Sequence, residues 1–116
     1  MSEEVIRVGK DIKTSFQGDV STLQKNITLP GKDVNGKPGP GFDVQISLLK
    51  VGDIVLIGIS GEVFNEIGMK IKKQSHYNYT FIITHCNGSS GSIVTDKSYK
   101  EGGYEPNYSK AKIGAE

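Results

Sequence analysis

From Phe42 the chain alternates. Phe42, Val44, Ile46 and Leu48 fall on one side, and Asp43, Gln45 and Ser47 on the other. That period of two predicts a half-buried strand over 42–50. After Val51-Gly52-Asp53, the run Ile54 to Ile59 is apolar and rich in β-branched residues, the composition of a strand buried on both faces. The short turn between the two makes them an antiparallel hairpin, 42–50 with 53–59. Past Ser60-Gly61 the period changes. Phe64, Ile67, Gly68 and Ile71 recur at i, i+3, i+4 and i+7, which predicts one main helix over 62–74 with its apolar stripe on the 54–59 strand. Glu62 and Glu66 near its start and Lys70, Lys72 and Lys73 near its end suit the helix dipole. Glu66 and Lys70 also form a favourable i,i+4 pair.

Tyr79 to Thr84 reads as a third strand. Strand, helix and strand over 54–84 then form a βαβ unit, whose crossover is expected to be right-handed and its strands parallel. A polar, glycine-rich loop follows from His85 to Ser92. Ile93 to Thr95 reads as a short strand. Asp96 to Glu101 reads as one helical turn, capped by Thr95 or Asp96 and closed by Gly102-Gly103. The tail from residue 104 onward shows no apolar pattern.

The first 41 residues are less ordered in pattern. Val5-Ile6-Arg7-Val8 is a short β-like run. Val20, Leu23, Ile27 and Leu29 fit a period of two at their end and a period of three to four before it; the end is read as a strand. Residues 30–41 hold three Pro and four Gly and are expected to form a loop. Asn35-Gly36 is a hairpin turn signal, but the prolines behind it argue against a tight hairpin. The fold class expected is therefore α/β: a small mixed sheet with an antiparallel hairpin, one crossover and one main helix. The whole of 1–116 is taken as one domain or fragment, with 1–41 unassigned, an α/β segment over 42–105 and a tail over 106–116.

Composition narrows the function classes. Fifteen of the 116 residues are Gly and 35% are hydrophobic, so the core is expected to be small and the turns many. The net charge is +1, and 13 of the 14 basic residues are Lys, which is not the footprint of a nucleic-acid binder. No run is apolar and long enough to span a membrane, and the Met-Ser-Glu-Glu start lacks the basic and apolar regions of a signal peptide. A single cysteine, Cys86, excludes an internal disulfide and a multi-cysteine zinc site.

The sequence offers a few places for chemistry. Glu62 follows the carboxyl end of a buried strand, the edge at which open α/β sheets bind ligands; it reads equally as a helix-start carboxylate. The loop Asn87, Gly88, Ser89, Ser90 leaves the same edge and is a candidate substrate or anion loop, or a plain surface loop. His76 and His85 lie at opposite ends of one strand, too far apart to chelate a metal. Cys86 reads as a small buried thiol, because neighbouring strand residues point to opposite faces and do not form a catalytic pair with His85. Tyr99 and Tyr104 line a pocket or cap the core edge.

Several runs carry a family resemblance. Phe42 to Glu62, ending Ile-Gly-Ile-Ser-Gly-Glu, resembles the late catalytic-domain segment of neutral/alkaline, non-lysosomal ceramidases. So do Phe64-Asn-Glu-Ile-Gly-Met-Lys-Ile-Lys and Thr80-Phe-Ile-Ile-Thr-His-Cys-Asn-Gly88. Gly91 to Glu105, with its Gly-Gly-Tyr-Glu ending, is similar to bacterial ceramidase-like hydrolases. The likeness covers 42–105. It implies hydrolysis of the ceramide amide to sphingosine and a fatty acid at a zinc ion held by two His, one Glu and one Tyr. The family's Glu lies in a Pro-Gly-Glu turn that corresponds here to Ser60-Gly61-Glu62, so the resemblance makes Glu62 a zinc ligand in a full-length parent. The family's Tyr lies in a stretch that corresponds to Gly91-Ser92-Ile93-Val94-Thr95. Ser92 occupies its position and is too short to reach the same metal. The two His belong to segments upstream of this chain.

The resemblance thus implies a fragment of a zinc-dependent, ceramidase-like amide hydrolase. By itself the fragment is expected to be inactive and to bind no zinc. Its partners would be the remainder of the parent catalytic domain and a lipid amide substrate, its location secreted, periplasmic or membrane-associated, and self-association through exposed surface is open to it. The alternative is a non-catalytic α/β binding or interaction module that keeps the scaffold and has lost the metal site.

Overall fold

The computed structural model describes residues 2–14 and 18–115; Met1, residues 15–17 and Glu116, parts of the expected N-terminal segment and tail, lie outside them. The chain runs α1 (Ser2–Asp11), β1 (Val20–Val34), β2 (Lys37–Val51), β3 (Ile54–Ile59), β4 (Glu62–Val63), α2 (Asn65–Gln74), β5 (Tyr79–Ile83), β6 (Ser92–Ile93), α3 (Asp96–Glu101) and α4 (Tyr104–Tyr108). The main sheet has the order β1-β2-β3-β5. Its first three strands are antiparallel neighbours; β5 lies parallel to β3, with α2 in the crossover. This is the α/β architecture expected from the two periodicities.

The alternating side of β2 enters the core as read. Val44 is buried and Phe42 packs against the cluster that Val44 forms with Ile59, Ile67 and Ile93. Phe64 and Ile71 pack on the same cluster, so the stripe of α2 does lie on the β3 side of the sheet. The helix is shorter than its pattern. The Glu62 and Phe64 N–H groups donate to the carbonyls of Gly91 and Ile93 at 2.9 and 3.1 Å. Those donors close a parallel ladder between β4 and β6, with Glu62 opposite Ser92, instead of starting a helical turn. Glu62 is therefore a strand residue, and α2 starts at Asn65 behind an extended Phe64.

Residues 30–41 depart most from expectation. They are not a loop: β1 and β2 continue through them to a two-residue turn at Asn35-Gly36. Both turn residues have positive φ, 52° and 75°, the hairpin geometry that Asn-Gly favours. The ladder shifts register between Leu29 and Gly31 and again between Gly31 and Val34. Such bulges, and the outer edge of β1, tolerate proline, which has no N–H to give. Gly31 and Gly39 are partners across this stretch. A Cβ on either would collide with a facing carbonyl oxygen, that of Pro40 or Lys32. These glycines mark close backbone approach inside a ladder rather than a turn.

Two other segments differ from expectation. Val5 to Val8 belongs to a helix, α1, rather than a strand. The tail is ordered against the hairpin. Lys32 N–H donates to Lys110 O, and Lys112 N–H to Pro30 O, both at 2.9 Å, and Gly31 bridges the buried Ala111. Lys32 Nζ donates to the carbonyls of Pro106 and Asn107 at 2.6 and 3.0 Å, at the end of α4. The α3 turn is as read: Thr95 accepts from the Ser98 N–H, and Gly102 ends the turn at positive φ. The Cα radius of gyration is 17.5 Å, against about 13 Å for a compact domain of this length. Among the described residues, no helix is long and apolar enough to cross a membrane.

Candidate functional site

The edge that the sequence singles out is built from the ends of β3 and β5. Backbone bonds tie them together. Cys86 N–H donates to Ile59 O, Ser90 N–H to Ser60 O and His85 N–H to Gly61 O, at 2.9, 2.7 and 3.1 Å. The residue at 61 must be small. A Cβ there would stand 2.5 Å from Ile93 Cδ1 and 2.8 Å from Gly91 O. Removing that atom lets β4 lie against β6, and their ladder sets Glu62 beside Ser92. Ser92 Oγ donates to Glu62 Oε2 at 3.4 Å, a long contact on an exposed carboxylate.

The candidate anion loop is largely committed to structure. Ser60 and Ser90 are both buried, and their hydroxyls meet at 2.6 Å. Ser60 Oγ also accepts from Gln45 N–H at 2.9 Å, and Ser90 Oγ donates to Asp43 O at 2.8 Å. Asn87 Nδ2 donates to Ser47 Oγ at 3.1 Å. Asn87 itself has φ 58° and His85 φ 52°, a backbone region few non-glycine residues enter. So two of the four loop residues, Asn87 and Ser90, fasten the loop to β2 with their side chains, Ser90 with the help of Ser60 on β3's exit. Gly88 and Ser89 are exposed at its tip.

His76 and His85 stand at the two ends of β5, both exposed, as their spacing implied. Cys86 is half-buried and sits over Gly58: a Cβ on Gly58 would stand 2.5 Å from Cys86 Sγ. Tyr99 donates its hydroxyl to Ala111 O at 2.6 Å, and the Lys32 ammonium lies 5.5 Å from its ring centre. It holds the tail. Tyr104 and Tyr108 are exposed and tilted against each other.

The zinc implied by the resemblance does not fit this chain's residues alone. Glu62 is one carboxylate, its neighbour is a serine, and among the described residues no three His, Cys, Asp or Glu side chains converge. A catalytic zinc needs about three protein ligands. The sequence missed the Ser60–Ser90 pair, the Gly61–Ile93 contact and the Lys32 clasp. All three join residues 30 or more apart, and nothing local signals them. No protein-family model, curated protein or solved structure matches the chain significantly.

Proposed function

We propose that this chain is the C-terminal part of the catalytic region of a ceramidase-like hydrolase acting on a linear amide of the N-acylsphingosine type, and that it is inactive alone. The reading is supported by one observation above all. The two positions that the resemblance assigns to the metal site, 62 and 92, are 30 residues apart and end side by side across β4 and β6. Glu62 would be this chain's single zinc donor. The remaining donors would come from segments outside it, and so would the surface that gives the lipid amide its place. No catalytic step is assigned to residues of this chain. The test is metal analysis of the full-length gene product. About one zinc per protein, falling in Glu62→Gln and tightened in Ser92→Tyr, is the expected result. A zinc content that ignores both changes rejects the reading.

A second reading is a non-catalytic α/β interaction module. It is favoured by Ser92, whose side chain beside Glu62 is too short to stand in for the tyrosine that the resemblance puts there. Amide hydrolysis by the full-length product rejects it; zinc-free protein with no hydrolytic activity rejects the first.

A further inference from the structure

The main sheet has two faces, and only one carries α2. Val55 and Ile59 are buried under it. The register places Val20, Val51, Ile54 and Tyr79 in one row on the other face; Thr22, Leu49, Leu56 and Phe81 form the next, and Gln24, Ser47, Gly58 and Ile83 the third. No residue in these rows is charged. Phe81 is 50% exposed, and Ile54, Leu49, Tyr79 and Ile83 are exposed as well. A groove of about 400 Å³ runs along this face, lined by Leu49, Leu56, Ile83 and Cys86 among others.

Among the described residues a second apolar surface is exposed. On α1 and just past it, Val5, Val8, Gly9 and Ile12 recur at i, i+3, i+4 and i+7, with Ile6 beside them. Glu3, Glu4, Arg7, Lys10 and Asp11 take the opposite side, and Arg7 is paired to Glu4 there. Val5 is 67% exposed and Ile12 64%. A ten-residue helix is marginal in water by itself and is ordinarily held by packing of its apolar face. The chain between α1 and β1 is long enough for α1 to reach the sheet. The Gly52 N–H donates to Asp19 O at 3.0 Å, which fixes the start of β1 at the turn between β2 and β3. Residues 12–18 span up to roughly 23 Å when extended. The four strands are roughly 14 Å across, and α1 is about 15 Å long.

We propose that α1 closes over the bare face of its own chain's sheet as a strap, with Val5, Val8 and Ile12 in the groove beside Cys86. The argument is independent of the hydrolase reading. Cys86 reports on it, because docking shields the thiol. In the 116-residue chain, reaction of Cys86 with a soluble aromatic disulfide reagent is expected to be slow. A Val5→Asp/Val8→Asp variant is expected to react at least about tenfold faster, with unchanged far-ultraviolet dichroism from the sheet. Glu3→Gln, on the charged side, leaves the rate alone. In a Val8→Cys variant, a short bismaleimide is expected to join positions 8 and 86 within a monomer. Equal rates in the wild-type and doubly charged chains overturn the proposal. So do cross-links found only between chains, or a wild-type chain that sediments as a dimer with Cys86 shielded in the contact between two sheets.

Discussion

Ser60 and Ser90, thirty residues apart, share a buried hydrogen bond of 2.6 Å that locks the loop after β5 onto the exit of β3. Each hydroxyl has a further backbone partner, so the pair is satisfied on all sides. Ser90→Ala leaves Asp43 O without its donor, and Ser60→Ala leaves Gln45 N–H without its acceptor. Each change is expected to lower stability by about 1–3 kcal/mol, the cost of an unmet buried polar group. The double change is expected to cost less than the sum of the two. Urea midpoints of the three variants check this; strict additivity would mean that the two hydroxyls act separately.

Gly61 allows β4 to lie against β6. Gly61→Ala drives a methyl into Ile93 and the Gly91 carbonyl, and overpacking of this kind costs about 1–3 kcal/mol. The structural consequence is specific. Amide exchange at Glu62 and Phe64, whose protons are held by Gly91 and Ile93, is expected to accelerate more than exchange in β3. Uniform acceleration would count against a local role.

The hairpin tip separates two kinds of glycine. Gly36 has open space around it but φ of 75°, whereas Gly39 faces the Lys32 carbonyl. Gly36→Ala is expected to cost about 1 kcal/mol, from backbone conformation alone. Gly39→Ala should cost more, because the ladder has to part. A flexible loop over 30–41 would give two near-neutral changes, so thermal unfolding of these variants decides between loop and ladder.

Lys32 clasps the end of α4. Lys32→Met keeps much of the stem and removes the charged donor to Pro106 and Asn107. A loss of roughly 1.5–3 kcal/mol is expected for hydrogen bonds from a charged group, with early proteolytic cutting in 104–112. Stability and cleavage pattern equal to wild type would remove the clasp from the account of the tail.

Much of the architecture was legible because it is written in local periods. The alternation from Phe42 to Leu48 and the stripe of Phe64, Ile67, Gly68 and Ile71 specify their elements without reference to distant residues. What failed is non-local. Gly31 and Gly39 look like turn glycines until the facing carbonyls are seen. Glu62 looks like the first residue of a helix until Gly91 captures its N–H. Val5 to Val8 is too short a run to tell a strand from a helix by hydrophobicity alone. For the candidate site, the meeting of Glu62 with Ser92 across β4 and β6 leaves no mark in local spacing, because the two lie thirty residues apart. The loop serines looked available because polar residues carry no local mark of the partner they will bond.

The backbone bridge between Pro30, Lys32 and the segment Lys110–Lys112 has a consequence for solubility. An outer strand with open N–H and C=O groups is a template on which another chain can add itself. Here the segment Lys110–Lys112 occupies that template at Pro30 and Lys32, and the Lys112 to Asp33 ion pair at 2.8 Å holds a charge beside it. The segment therefore acts as a guard at the outer half of the hairpin: a chain cut after Ser109 presents an open C=O at Pro30 and an open N–H at Lys32 and is expected to gather into β-rich aggregates at concentrations where the intact chain stays clear.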